Sequence, residues 1–318
     1  MNSRKILVTG GAGFIGSHLV DSLMTAGSEV CVLDNLSAGN LTNIRQWTSN
    51  PRFCFLNRDL INSIDSINDT RFDVVFHLAA NPEVRVSSLN PEIHFKQNIV
   101  TTFNLLEYIR KNRINPKFVF ASTSAVYGEP AEIPTPENYA PLKPISVYAA
   151  TKLACEALIT AYAYNYGFNA IIYRLANIIG SRSSHGVIYD FVQKLQKNPN
   201  ELEVLGDGTQ TKSYLHVSDC VNALLHGLEK TNTQVEIYNV GSEDKINVKT
   251  IAKIVINEMN LEKVTVKLTG GVDGGRGWAG DVKIMLLNIN KIKSAGWSPK
   301  LNSHEAVTQT SRALAKTT

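Results

Sequence analysis

Residues 5–16 read KILVTGGAGFIG. Ile6, Leu7 and Val8 form a short apolar run rich in β-branched residues, as a strand covered on both faces requires. The run stops at Gly10 and Gly11. From Phe14 onward, in FIGSHLVDSLMTAG (14–27), apolar residues recur at helical spacing. The stretch is therefore a strand, a glycine turn and the opening of a helix. Its glycines fit two registers, Gly10-x-x-Gly13-x-x-Gly16 and Gly11-x-Gly13-x-x-Gly16. Bare backbone there can approach a pyrophosphate closely, and a helix start offers it free N–H groups and a partial positive charge. A turn that serves only the fold is the bland alternative. The strand before it and the helix after it favour a dinucleotide-binding turn.

The same alternation continues downstream. EVCVLD (29–34), RFCFLN (52–57), DVVFHLAA (73–80) and KFVFAST (117–123) are continuous apolar runs, the mark of strands buried on both faces. Helical stretches separate several of them; the longest, PEIHFKQNIVTTFNLLEYIRKN (91–112), has Pro91 at its start. Strand–helix alternation predicts an α/β protein with a Rossmann-like, doubly wound parallel sheet. Asp34 ends the second strand, where a carboxylate accepts from a ribose 2′-hydroxyl and repels a 2′-phosphate, so NAD is favoured over NADP. After about residue 175 the pattern loosens into helices, short strands and glycine-rich loops. We expect a dinucleotide domain over 1–175 and a smaller mixed α/β substrate domain over 176–318, with the chain crossing between them more than once.

Composition narrows the function classes. The 318 residues are 43% hydrophobic and 19% charged, with a net charge of +4 and no basic block. That gives no case for nucleic acid or a membrane surface. No apolar stretch reaches the length of a membrane span, and the N-terminus lacks the apolar run of a signal peptide, so the cytoplasm is the default expectation. Cys31, Cys54, Cys155 and Cys220 lie far apart without a CxxC pair, and the seven histidines show no ligand spacing, so no metal is expected. Cys31 and Cys54, inside apolar runs, are expected to pack as small hydrophobes.

Two Tyr-x-x-x-Lys pairs occur, YAPLK (139–143) and YAATK (148–152). Pro141 and Pro144 forbid a regular helix through the first. The second opens an unbroken helical pattern, so Tyr148 and Lys152 share one face. Ser122 and Thr123 end a strand, and ligands bind at the carboxyl ends of such strands. A hydroxyl, a phenol and an ammonium then converge beside the cofactor. Hydride transfer from a carbinol needs its hydroxyl proton removed, and a phenol does this if its pKa falls from about 10 towards 7, a shift of about 4 kcal/mol. One positive charge at ~5 Å supplies roughly 3 kcal/mol at an effective dielectric of 20. Lys152 and an oxidised nicotinamide together meet that need.

With these segments in place the chain resembles the extended short-chain dehydrogenases/reductases. The resemblance rests on TGGAGFIGSHL at the start, DNLSAG (34–39), HLAA (77–80), STSAVYGEP (122–130), PISVYAATK (144–152) and YRLANIIG (173–180). GDGTQTKSYLHVSD (206–219) and GRGWAGD (275–281) resemble the nucleotide-sugar branch, and within it the UDP-galactose (UDP-glucose) 4-epimerases. The similarity runs from near residue 4 to about 307. It implies NAD as cofactor, with Gly10, Gly13, Phe14, Ile15 and Gly16 on the pyrophosphate and Asp34, Asn35, Ser37 and Gly39 around the adenosine ribose. Asp59 and Leu60 would contact adenine; Leu78, Ala79, Ala80 and Asn98 would flank the middle of the cofactor. Thr123, Tyr148 and Lys152 would be catalytic, with Thr123 also holding the substrate. Asn177, Lys212 and Arg276 would bind the diphosphate of a UDP-sugar; Lys212 stands where many relatives carry Arg. A homodimer through helices near 92–112 and 147–166 is implied as well.

The implied reaction is 4-epimerisation of a UDP-hexose: oxidation at C4, rotation of the 4-keto sugar and re-reduction. Sugar 4,6-dehydratases carry Asp-Glu after the catalytic Thr and decarboxylases need a Glu nearby, whereas Ser124 and Ala125 stand here. Another nucleotide-sugar oxidoreductase of the same fold, or a non-catalytic NAD-responsive binding protein, are the alternative readings.

Overall fold

The structure, a computed structural model, describes residues 4–62, 71–85, 89–231 and 233–317. In chain order the strands are β1 (Lys5–Thr9), β2 (Glu29–Asp34), β3 (Phe53–Asn57), β4 (Val74–His77), β5 (Lys117–Thr123), β6 (Asn169–Leu175), β7 (Asn177–Ile179), β8 (Glu201–Val204), β9 (Thr211–Lys212), β10 (Tyr214–His216), β11 (Val235–Val240), β12 (Ile246–Asn247), β13 (Thr265–Leu268) and β14 (Ile284–Met285). The helices are α1 (Phe14–Thr25), α2 (Pro91–His94), α3 (Thr101–Lys111), α4 (Val147–Tyr166), α5 (Val187–Lys197), α6 (Val217–Lys230), α7 (Val248–Glu258), α8 (Asn290–Ser294) and α9 (Ser303–Thr317).

The chain forms two compact units. The first takes residues up to Thr123, then Val147–Arg174 and Val221–Tyr238; the second takes Ser124–Ser146, Leu175–Cys220 and the chain from Asn239 onward. A seven-stranded parallel sheet in the order β11-β6-β5-β4-β1-β2-β3 organises the first unit. β1 lies between β4 and β2, pairing Thr9 with His77 on one side and with Leu33 on the other. The strand order reverses there, and this is the crevice where open α/β sheets bind ligands. The four expected strands after β1 are all present, as is the parallel arrangement. β6, in NAIIYRL, was not among the expected strands, and residues 221–238, part of the looser helix-and-strand pattern expected of the C-terminal domain, belong to this unit.

Alternation sorts the sheet's faces. Leu7, Cys31, Leu33, Val75, Phe118, Phe120 and Ile172 are buried in one cluster with Leu105, Leu106, Tyr108 and Ile109 of α3 and Cys155, Ile159 and Ala163 of α4. Each large apolar side chain sealed there is worth about 1.5–3 kcal/mol. Cys31 fits its expected role; Cys54 is exposed, because β3 is the outer strand of the sheet. The 91–112 helix is present with one interruption. Between α2 and α3, Phe95–Val100 form a π-helical turn, which re-aims the carbonyl of Asn98.

A charge pair is buried inside this unit. Glu156 on α4 pairs with Arg174 on β6 at 2.8 Å, and both side chains are about 5% exposed or less. Arg174 reaches both carboxylate oxygens, and the hydroxyl of Ser122 on β5 also donates to Glu156. The second unit has its own apolar core, with Ile188, Phe191 and Leu195 of α5, Ile251 and Val255 of α7 and Val307 of α9. Its strands form small sheets, β10 with β7, β12-β9-β14, and β13 with β8.

Removing one member of a buried pair leaves the other charge uncompensated, at a cost of about 3–5 kcal/mol. Arg174→Met should lower the unfolding free energy by that amount in urea titrations. Glu156→Leu together with Arg174→Met should recover most of the loss.

Candidate active site

The glycine turn is held by contacts that no side chain would permit. Gly10 has φ +71°, and a Cβ there would lie 2.7 Å from the amide nitrogen of Ala79. A Cβ on Gly16 would lie 2.1 Å from the carbonyl oxygen of Gly10. α1 then starts at Phe14 with Gly13 as its cap; no side chain accepts from its first N–H groups and its first turn carries no acid. Such a terminus attracts an anion. Asp34 ends β2 and accepts from the Ala12 N–H through one oxygen (3.0 Å) and from the Leu36 N–H through the other (2.8 Å). Burial raises its pKa while both N–H donors lower it. Carboxylate and turn are thus one assembly. Asn35 donates to Asp59 (3.0 Å) and accepts from Ser37. A Cβ on Gly39 would lie 3.0 Å from both Ala12 and Asp34, and Leu60 is buried. Leu78 and Ala79 donate backbone N–H groups to Thr9. An uncapped helix start beside a carboxylate fits the pyrophosphate and ribose of a dinucleotide.

Thr123 is the last residue of β5, and its side chain hydrogen-bonds the Tyr148 phenol at the start of α4. Lys152 lies one turn further along the helix, 3% exposed, its ammonium 4.1 Å from the Phe120 ring centroid. Burial lowers Lys152 to about 8, with Cys155 and Glu156 opposing. Burial pushes Tyr148 up to about 12, against the Thr123 hydrogen bond. The phenol was expected to be drawn down; in the chain alone, desolvation wins. Tyr139 and Lys143 lie outside every helix, and the Tyr139 hydroxyl accepts from the Ala131 N–H.

Around this trio stands a buried polar layer that spacing did not announce. Asn98 accepts from the Asn81 N–H (2.8 Å) and donates to Thr151 (2.9 Å). Its carbonyl, re-aimed by the π turn, accepts from the Thr102 hydroxyl and the Cys155 thiol. The ring of His94 meets the Tyr148 ring edge-on at 5.9 Å. His77 is fully buried between Thr9 and Thr102; burial drops it to about 3, so it stays neutral. A signal for Glu156 did exist. It is the third member of a Tyr148–Lys152–Glu156 series at four-residue steps, and a charge on the buried face of a long helix demands a partner.

The second unit gathers the other three candidates. Asn177 donates its side-chain N–H to the Ser213 carbonyl (3.0 Å). Lys212, next to Ser213, pairs with Asp281 at 2.5 Å and lies 5.6 Å from the Trp278 ring. Arg276 donates to the backbone carbonyls of Asp281 and Asp273 and to the carboxylate of Glu129. Lys212 and Arg276 therefore flank Asp281, on a loop whose positive-φ glycines include Gly274, Gly275 and Gly280. The backbone of Met285 accepts from Ser213. Among the described residues no three His, Cys, Asp or Glu side chains are grouped to hold a metal ion, and no helix is long and apolar enough to cross a membrane.

Residues 6–241 match the model of the NAD dependent epimerase/dehydratase family. A Methanocaldococcus jannaschii protein provisionally named UDP-glucose 4-epimerase is 38% identical over 309 residues, 95% of each chain. UDP-glucuronic acid decarboxylase 1 of Arabidopsis thaliana is 33% identical over 312 residues, 95% of this chain and 68% of that protein. A crystal structure of a UDP-galactose 4-epimerase superposes with a TM-score of 0.88 at 44% identity, covering 98% of this chain and 99% of the other. The family model covers most of the chain and these likenesses run over practically its whole length: the chain belongs to the NAD-dependent epimerase/dehydratase family.

Proposed function

We propose that the chain is a UDP-hexose 4-epimerase that interconverts UDP-glucose and UDP-galactose with bound NAD. The observation that carries this reading is the Thr123–Tyr148–Lys152 set followed by Ser124 and Ala125, which supply no second acid–base pair. Epimerisation needs none, whereas loss of water or carbon dioxide does. NAD, when bound, takes the hydride from C4 of the sugar and gives it back. The Tyr148 oxygen takes the proton of the 4-hydroxyl and returns it, while Thr123 holds that hydroxyl. Asn177, Lys212 and Arg276 are assigned to the diphosphate. Strong binding at that remote end leaves the 4-keto sugar free to turn over, so that hydride returns to its other face.

The protonation energetics fix how much help Tyr148 needs. From about 12, a phenol brought near 7 must shift by about five units, roughly 7 kcal/mol. A unit charge at ~5 Å gives about 3 kcal/mol. Neither Lys152 nor the cationic nicotinamide suffices alone; together they supply about 6 kcal/mol, most of what is needed.

The exposed aromatics of the first unit support a second copy of this chain as partner. Phe95 and Phe103 are 53% and 44% exposed on the α2–α3 segment, and Tyr164 and Tyr166 are exposed on α4. We assign these helices to a homodimer interface. Phe103→Glu should shift the sedimentation coefficient to the monomer's, and an unchanged value would remove this assignment.

Purified protein given UDP-glucose should form UDP-galactose without net NADH. Tyr148→Phe should lose about 10²–10⁴-fold in turnover while keeping NAD bound. Carbon dioxide and a UDP-pentose from UDP-glucuronate would instead place the chain with the decarboxylases, which the 33% identity makes the pertinent control. The pH profile tests Lys152. Activity needs the phenolate and rises with pH; without the ammonium its rising limb should move up by about two units in Lys152→Met. An unmoved limb would show that Lys152 acts only as a hydrogen-bond donor.

A further inference from the structure

Two cysteines meet at the outer edge of the first unit's sheet. β2 and β3 run parallel, and Cys31 stands directly opposite Cys54 in their register. Opposed residues in neighbouring strands project to the same face, and the strands lie about 4.7–4.9 Å apart, inside the roughly 4.4–6.8 Å Cα separation that a disulfide spans. The two thiols are also within hydrogen-bonding reach of each other. They are not equivalent. Cys31 is buried in the cluster with Tyr108 of α3, whereas Cys54 is exposed. Lys5 and Glu29, themselves paired at 3.4 Å, are the charged groups whose fields reach Cys31. Packing explains Cys31; it does not explain an exposed thiol facing it.

We propose that Cys31 and Cys54 form a dithiol site that low-molecular-weight disulfides convert to an intrachain disulfide, fastening the outer strand β3 to β2. The order of events follows from exposure. The Cys54 thiolate attacks one sulfur of the small disulfide; a new S–S bond forms on Cys54 and one small thiolate leaves. Cys31 then gives up its proton, attacks the Cys54 sulfur and expels the second small thiolate. The two protein thiols lose two electrons and two protons, and the small disulfide is reduced to two thiols. Burial raises the Cys31 pKa, which makes the second step the slower one, so the adduct on Cys54 accumulates before it resolves. Cys155 and Cys220, both fully buried, take no part. Among the described residues β3 ends the sheet and has a strand partner on one side only. A bond at its second residue therefore adds a covalent tie to a strand that is paired on one side only among the described residues.

Oxidised glutathione and intact-mass spectrometry of the full chain test this without any sugar substrate, so the result stands apart from the epimerase reading. Wild type should gain one glutathione, then lose it and finish lighter than the starting protein by two hydrogens, with dithiothreitol restoring the original mass. Cys31→Ala should stop at the glutathione adduct, and Cys54→Ala should give neither product. Peptide mapping should join Cys31 to Cys54, and amides of Phe53–Asn57 should exchange more slowly in the oxidised protein. A persistent adduct on wild type, no reaction, or a link through Cys155 or Cys220 would overturn the site. Unchanged exchange in the linked protein would overturn the fastening.

Discussion

The buried carboxylate of Glu156 is the tie on which the candidate site depends. It accepts from Arg174 on β6 through both oxygens and from Ser122 on β5 through one. Glu156 rides on α4, two turns beyond Tyr148. The helix that carries the phenol and ammonium is thereby pinned to the strand whose last residue, Thr123, bonds that phenol. An apolar contact could hold the helix against the sheet equally well, but it would tolerate sliding. A bidentate charge pair in a low-dielectric interior fixes direction as well as distance.

Legibility in the sequence followed from how local each feature is. β1, its glycine turn and α1 are contiguous, so spacing alone sufficed for Gly10, Gly13 and Gly16. The Tyr148–Lys152 pair was separated from Tyr139–Lys143 by prolines, a covalent property readable without a fold. Glu156, Asn98 and His77 gave weaker signals because each has its meaning through partners 18 to 68 residues away. β6 and the membership of residues 221–238 in the first unit escaped for a similar reason: both are specified by neighbours in the sheet rather than by local periodicity. Cys54 misled because β3 reads as a covered strand, and only the sheet order shows that no further strand among the described residues pairs beyond it.

The same burial that orders the active helix opposes the chemistry proposed for it. The phenol sits at about 12 and the ammonium at about 8, each pushed towards its neutral form by loss of water. A base in that condition is inert until a second positive charge arrives. Under the proposed reading the protein keeps its phenol protonated whenever the dinucleotide is absent or reduced. Proton abstraction is thereby coupled to the presence of an acceptor for the hydride.

Asp34 carries a consequence for anyone wishing to redesign the nucleotide preference. Exchanging an acidic residue at this strand end for a small or basic one is the obvious route to accepting a phosphorylated ribose. Here both oxygens of that carboxylate already anchor backbone, one on Ala12 inside the glycine loop and one on Leu36 beyond the strand. Hydrogen bonds to a charged acceptor are worth about 1.5–3 kcal/mol apiece. A swap at this position would slacken the cradle for the pyrophosphate while remodelling the pocket for the sugar. With Asp34 read as the proposed ribose contact, selectivity and loop integrity would be written in one side chain, and a successful variant must bring a replacement anchor for Ala12 along with its new charge.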